Sequence, residues 1–193
     1  MKNPTKIKVK DKIYKINSDF RVVLECNEIS QDENIGDYER ALAIIYKLFG
    51  EEALNDTQNY EELLEKAQKF ISCGNETEES NEQPDMDFRQ DEGLIKSSFK
   101  YDYNYDPYAL EYLHWWDFYN DLCNLSYSEF GSCCILNKVR NLRNYDVSEI
   151  KDSKKRQEVV DMKEKFSLKR YEKKLTKEQE ESIAKFNELA GIH

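Results

Sequence analysis

A chain of 193 residues, 39% hydrophobic and 12% aromatic, is long enough to bury a core and too aromatic to be disordered throughout. Six glycines and three prolines leave long uninterrupted stretches, which favours helix over a turn-rich β fold. The net charge of −10 lowers the expectation of a duplex-binding surface, which needs local basic excess, and no apolar run reaches transmembrane length. The five cysteines are odd in number and lack CxxC spacing, so neither a zinc site nor a disulfide framework is indicated. Free thiols fit a reducing cytoplasm, and the charged first residues are unlike a secretory signal.

In chain order, Ile7 and Val9 alternate with lysines, Asp11-Lys12 offers a turn, and Ile13 to Ile16 returns. This period-two pattern predicts a β-hairpin with one apolar face, which must lie on helices or join another edge, such as that of a second subunit. Asn17, Ser18 and Asp19 are capping types before a first helix over about 20–29. A second helix is expected over 38–49, with Ala41, Ile45 and Leu48 inward and Gly50 as its stop. A third begins after Asn59, carries Leu63, Ala67 and Phe70, and ends at Gly74. From residue 75 to about 91, acidic side chains face a single base, Arg89, which predicts a flexible linker that buries little. The same acid run also fits a mimic of nucleic acid or a partner-binding arm.

Leu94, Ile95 and Phe99 predict a short helix. Asp106-Pro107 then has the form of a helix start, so one helix is expected from Tyr108 to about Asn124. On it Tyr108, Tyr112, Trp115, Tyr119 and Leu122 share a face, with Trp116 and Cys123 adjoining. Trp115 is mid-stripe and reads as core; Trp116 points about 100° away and suits either core or contact. Ser126 and Glu129 have capping-box spacing ahead of a helix that ends near Arg143, with Ile135, Val139 and Leu142 as its stripe. Beyond Asp146, Val159, Met162 and Phe166 form a narrow stripe. A last helix is expected after Thr176, lined by Ile183, Phe186 and Ala190. The expected fold is therefore mainly α with an N-terminal β-hairpin and a disordered acidic loop. Residues 1–74 and 92–145 form one domain, 75–91 link them, and 146–193 make a charged helical extension.

Catalytic chemistry finds little support. Glu111 and His114 have Glu-x-x-His spacing, but the only other histidine is His193, and a di-iron helix bundle needs a second such pair. No Gly-rich phosphate loop or G-x-S-x-G occurs, and adjacent Cys133-Cys134 reads as small buried core. No catalytic, cofactor or metal residue is assigned, and the expectation is a protein that is not an enzyme. An unrecognised carboxylate site is the remaining catalytic alternative.

The run Leu94 to Arg143 resembles the gene-product-fifteen family of long-tailed phages. The resemblance rests on Ile95, Phe99 and Tyr105, the hexamer Leu113-His-Trp-Trp-Asp-Phe118, Leu122, and then Phe130, Ile135 and Arg140. The N-terminal hairpin and short helix are also similar to the family's opening, whereas the acidic linker and charged tail match poorly. The resemblance implies a tail assembly chaperone in the host bacterial cytoplasm. It would bind the tape measure protein and keep it soluble while tail tube subunits polymerise. The tail tube protein is a second candidate partner, homo-oligomerisation is open, and neither nucleic acid nor membrane is expected as a partner. Tyr112, Trp116, Tyr119, Arg140 and Arg143 are the expected partner-binding residues. The rival reading is a small acidic phage regulator or host-defence antagonist acting by protein–protein binding.

Overall fold

The computed structural model describes residues 3–75, 84–127 and 133–169. The described residues are mainly helical, with eight α-helices and one N-terminal antiparallel hairpin. Two compact units are present. The first joins Met1–Asn81 to Phe88–Val139, and the second joins Glu82–Asp87 to Arg140–His193.

In the first unit, β1 (Lys6–Val9) pairs with β2 (Lys12–Lys15), Ile7 opposite Tyr14 and Val9 opposite Lys12. The turn is Lys10-Asp11 rather than Asp11-Lys12, and Lys10 takes the left-handed region at φ 48°. Alternation sends Val9 and Tyr14 inward and leaves Ile13 63% exposed among lysines. A two-stranded ribbon is marginal alone. Here Tyr14 fixes it: its hydroxyl donates to Asp56 Oδ2 at 2.5 Å, and that carboxylate also accepts from Asn59 and pairs with Lys12.

The helix α1 (Phe20–Ser30) starts at Asp19, whose carboxylate caps the Arg21 amide. The helix α2 (Asp37–Phe49) ends at Gly50, which at φ 80° takes a conformation costly for any residue with a Cβ. A short α3 (Glu51–Leu54) and a 3₁₀ turn at Thr57–Asn59 lead into α4 (Tyr60–Ile71). Leu63, Ala67 and Phe70 are its buried stripe, as the spacing predicts.

The helix α5 (Glu92–Tyr103) is longer than expected and buries Ile95, Ser98 and Phe99. The predicted long helix from Tyr108 does not form. Asp106-Pro107 opens only a 3₁₀ turn, Pro107–Ala109, and α6 (Trp115–Cys123) starts seven residues after Tyr108. The reason is a competing use of the backbone. Leu113 O accepts from the Phe20 amide at 2.9 Å, and the Trp115 amide donates to Ser18 O at 2.8 Å. Asp19 and His114 thus form an isolated antiparallel bridge, and residues spent in a bridge cannot continue a helix. Tyr108 and Tyr112 are consequently not on the α6 face.

The helix α7 (Ile135–Asn144) buries Leu136, Asn137 and Val139, while Ile135 is 40% exposed and Leu142 half-buried. The stripe is therefore shifted from the predicted Ile135, Val139 and Leu142. Ser126 is engaged by Cys134, whose amide donates to its Oγ at 3.0 Å; Glu129 lies outside the described residues. The boundary between the two units falls within α7, between Val139 and Arg140.

In the second unit, Asp85 is gripped by α7. Arg140 Nε donates to its Oδ1 at 3.1 Å and Arg143 Nη1 to its carbonyl at 2.8 Å. The helix α8 (Ser153–Lys165) buries no residue, and Met162 of its narrow stripe is 44% exposed. Of the expected flexible linker, residues 76–83 lie outside the described residues. Its remainder is packed: Asp85 is bound as above, Asp87 and Asp91 are buried, and Phe88 meets Trp115. The helix expected after Thr176 also lies outside the described residues.

Candidate functional site

The hexamer Leu113–Phe118 organises the first unit, and each residue has a physical task. Leu113 supplies the bridge carbonyl. His114 is the N-cap of α6: its Nδ1 accepts from the Trp116 amide at 3.0 Å. The other nitrogen, Nε2, lies 3.0 Å from Pro4 O and must donate, which fixes the neutral tautomer with hydrogen on Nε2. Both ring nitrogens are thus occupied, and the Glu111/His114 spacing has no ligating nitrogen to offer. Phe118 is fully buried, stacked on Phe20 at 4.3 Å and Phe99 at 5.4 Å. Asp117 Oδ1 accepts from the side-chain Nδ2 of Asn3 at 2.7 Å.

The two tryptophans close the end of α4. The last carbonyls of a helix have no intrahelical donors. Trp115 Nε1 donates to Ile71 O and Trp116 Nε1 to Phe70 O, each at 2.9 Å. Trp115 is buried against Phe118 and Tyr119, whereas Trp116 is half-buried. Its ring stacks on Phe70 at a centroid distance of 6.3 Å. The chain then leaves α4 through Cys73 and Gly74, both at positive φ, with the Gly74 amide bonded back to Lys69 O.

Trp116 walls two depressions. One, of about 150 Å³, is apolar: Pro4, Ile7, Ile16 and Phe70 complete it, with Lys66 and Lys69 at its side. The other, of about 520 Å³, is more polar and includes Tyr119, Asn120 and Cys123. Tyr112 stands elsewhere, 54% exposed beside a shallow groove of about 850 Å³ that it shares with Tyr46 and the end of α2. Its hydroxyl meets the Ser18 hydroxyl at 2.8 Å.

The structure therefore brings together Trp116 and Tyr119 but not all five expected partner-binding residues. Arg140 and Arg143 belong to the second unit and are engaged within the chain, by Asp85 and, for Arg143 Nε, by Phe166 O at 2.7 Å. Pro4, Ile7, Lys66 and Lys69 were not among the expected site residues. The signal for the lysines was their place one turn and one residue before Phe70 on the same helix. Among the described residues no group of three metal-ligating side chains lies together, and no described helix is long and apolar enough to cross a membrane.

A helical scaffold whose most distinctive motif is spent on holding helix ends, with one small apolar depression beside it, is the class of molecule these features define. The chain matches the family described as Bacteriophage Gp15 protein over residues 2–168, and it belongs to that family. Searches of curated proteins and of solved structures returned no match.

Proposed function

We propose that the protein is a tail assembly chaperone, acting in the host cytoplasm without chemistry of its own. Its client is the tape measure protein, which it keeps soluble until tail tube subunits polymerise around it. The observation that supports this reading most is membership of a phage family across nearly the whole described chain. A tape measure is a long helical chain whose apolar stripes are exposed before the tube encloses it, and such surface aggregates unless covered. The depression walled by Trp116, Phe70 and Ile7 suits an apolar side chain of a helical client. The surplus of acid would keep a loaded complex soluble.

The rival, an acidic antagonist, draws less support. Asp85, Asp87 and Asp91 of the acid run are bound or buried rather than displayed.

Co-expression with the tape measure protein of the same phage tests the proposal. The expected outcome is a larger soluble fraction of the tape measure and co-purification of the two. A tape measure that stays insoluble, with no complex at low or moderate salt, would sink it.

A further inference from the structure

Two lysines, Lys66 and Lys69, line the small apolar depression of a molecule that is acidic overall. Five lysines, Lys6, Lys8, Lys10, Lys12 and Lys15, lie within ten residues of hairpin in a chain of net charge −10. Val9 and Tyr14 point inward, so alternation places Lys6, Lys8 and Lys15 on the hairpin's outer face. Lys66 and Lys69 line the depression itself, beside Ile7 of β1. Lys12 is paired with Asp56. Among the described residues, none of Lys6, Lys8, Lys10, Lys15, Lys66 and Lys69 takes part in an ion pair. Glu62 and Glu65 stand one turn before Lys66 and Lys69, at a spacing that usually allows pairing, yet neither pair closes. Elsewhere basic groups do find carboxylates, as Lys47 finds Glu25 and Lys96 finds Glu92.

We propose that this depression is an anchor site for one apolar side chain carried by an acidic segment of a partner protein. Its volume of about 150 Å³ is of the order of one leucine or phenylalanine side chain. Its wall is rigid, because the Trp116 indole is tied to Phe70 O and stacked on the Phe70 ring. A rigid apolar pocket with charges at its rim is the anatomy of a binding hot spot: the anchor supplies affinity, and the rim selects by charge. Unpaired lysines along the hairpin also repel a second hairpin of the same kind, which argues against edge-to-edge pairing of two copies. A nucleic acid is the poorer fit. Stacking of successive bases needs a run of exposed aromatic faces, and at this depression Trp116 is half-buried with its ring already stacked on Phe70. The inference deepens the chaperone reading by naming the client feature recognised, a large apolar residue flanked by Asp or Glu.

The test uses two synthetic helical peptides with the same leucine and phenylalanine anchors, one flanked by glutamates and one by lysines. Trp115 and Trp116 are the only tryptophans, so intrinsic fluorescence of the full chain reports occupancy. The glutamate peptide should bind the wild type at least about tenfold more tightly than the lysine peptide. The charge reversal K66E/K69E, at half-buried and exposed positions, should invert that preference while the protein still melts cooperatively, at a slightly lower temperature because Glu62 and Glu65 then face like charges. Ile7→Glu should abolish binding of the glutamate peptide; should that variant fail to fold, the lysine pair still decides. Equal affinity for both peptides, or no binding to the wild type, overturns the proposal. So does a single-stranded oligonucleotide that binds comparably and is lost in K66E/K69E. A wild-type dimer dissolved by K66E/K69E would assign the site to a second copy and overturn it as well. Tape measure solubilisation, run with the same variants, separates the two claims. K66E/K69E that still solubilises the client removes the pocket alone, whereas failure of the wild type removes the chaperone reading and leaves the peptide result standing.

Discussion

Single side chains set the pH window in which the hairpin stays docked. Asp56 lies at about 2 rather than its ordinary 3.8, chiefly because it accepts from the Tyr14 hydroxyl, then from Asn59 and Lys12. Burial, and after it the bond to Asp56, pushes Tyr14 from 10.0 up to about 12. A depressed carboxyl contributes stability that is complete above 3.8 and lost as the pH falls through about 2. A raised phenol contributes stability that is complete below 10.0 and lost as the pH rises through about 12. Asp56→Asn should therefore flatten the fall in melting temperature between pH 3.8 and 2; an unchanged slope would show that other carboxyls govern it. The two indoles invite a second comparison by urea unfolding. Trp115→Phe leaves the part-buried Ile71 O without the donor it has now, and should cost about 1–3 kcal/mol. Trp116→Phe should cost less, since Phe70 O also accepts from the Cys73 amide at 3.1 Å and the ring is half-buried. Full truncation, Trp115→Ala, should cost roughly 3–5 kcal/mol.

At the scale of elements, legibility followed from how local each determinant is. Hairpin alternation, the cap at Asp19, the stop at Gly50 and the Leu63, Ala67, Phe70 stripe are all written within a few residues, and the structure has each of them. The start of α6 is not local. Tyr108 and Tyr112 fit a helical wheel, but the Ser18–Phe20 backbone takes the donors and acceptors of 113–115. No periodicity in 108–124 reports that competitor. His114 acts as an N-cap although histidine is not a favoured type there, because Pro4 O holds its other nitrogen. His114→Ala should accordingly lose more than an ordinary exposed cap, at least about 1–2 kcal/mol, in a denaturant melt. His114→Asn should recover the part owed to the cap alone. Of the expected partner-binding residues, Trp116, read as adjoining the aromatic stripe, and Tyr119, read as part of it, lie together at one depression. The lysines of α4 were not legible, since a lysine on a helix normally reads as solvated surface and only the hairpin beside it gives these two a neighbouring pocket.

For the molecule as a whole, the division into two units gives the acid run two fates. Asp85 belongs to the unit of Arg140 and Arg143, so Asp85→Ala should lower stability by about 1 kcal/mol, an amount that added salt reduces. A deletion that extends through Asp87 should cost more than one that ends at residue 83, as a comparison of thermal melts would show. Within the larger unit the bridge between Asp19 and His114 has a kinetic meaning. Leu113 and Asp19 are 94 residues apart, yet the first turns of α1 and α6 are held by the same few hydrogen bonds. Neither helix can fray at its start without exposing the other's amides. Closing so long a loop is entropically costly and is deferred until many contacts form together. Native-state hydrogen exchange should therefore find the amides of Phe20 and Trp115 opening as one cooperative group. Two stretches of chain distant in order of synthesis would then share one clock, and the amino-terminal half would wait for its own capping strand to emerge.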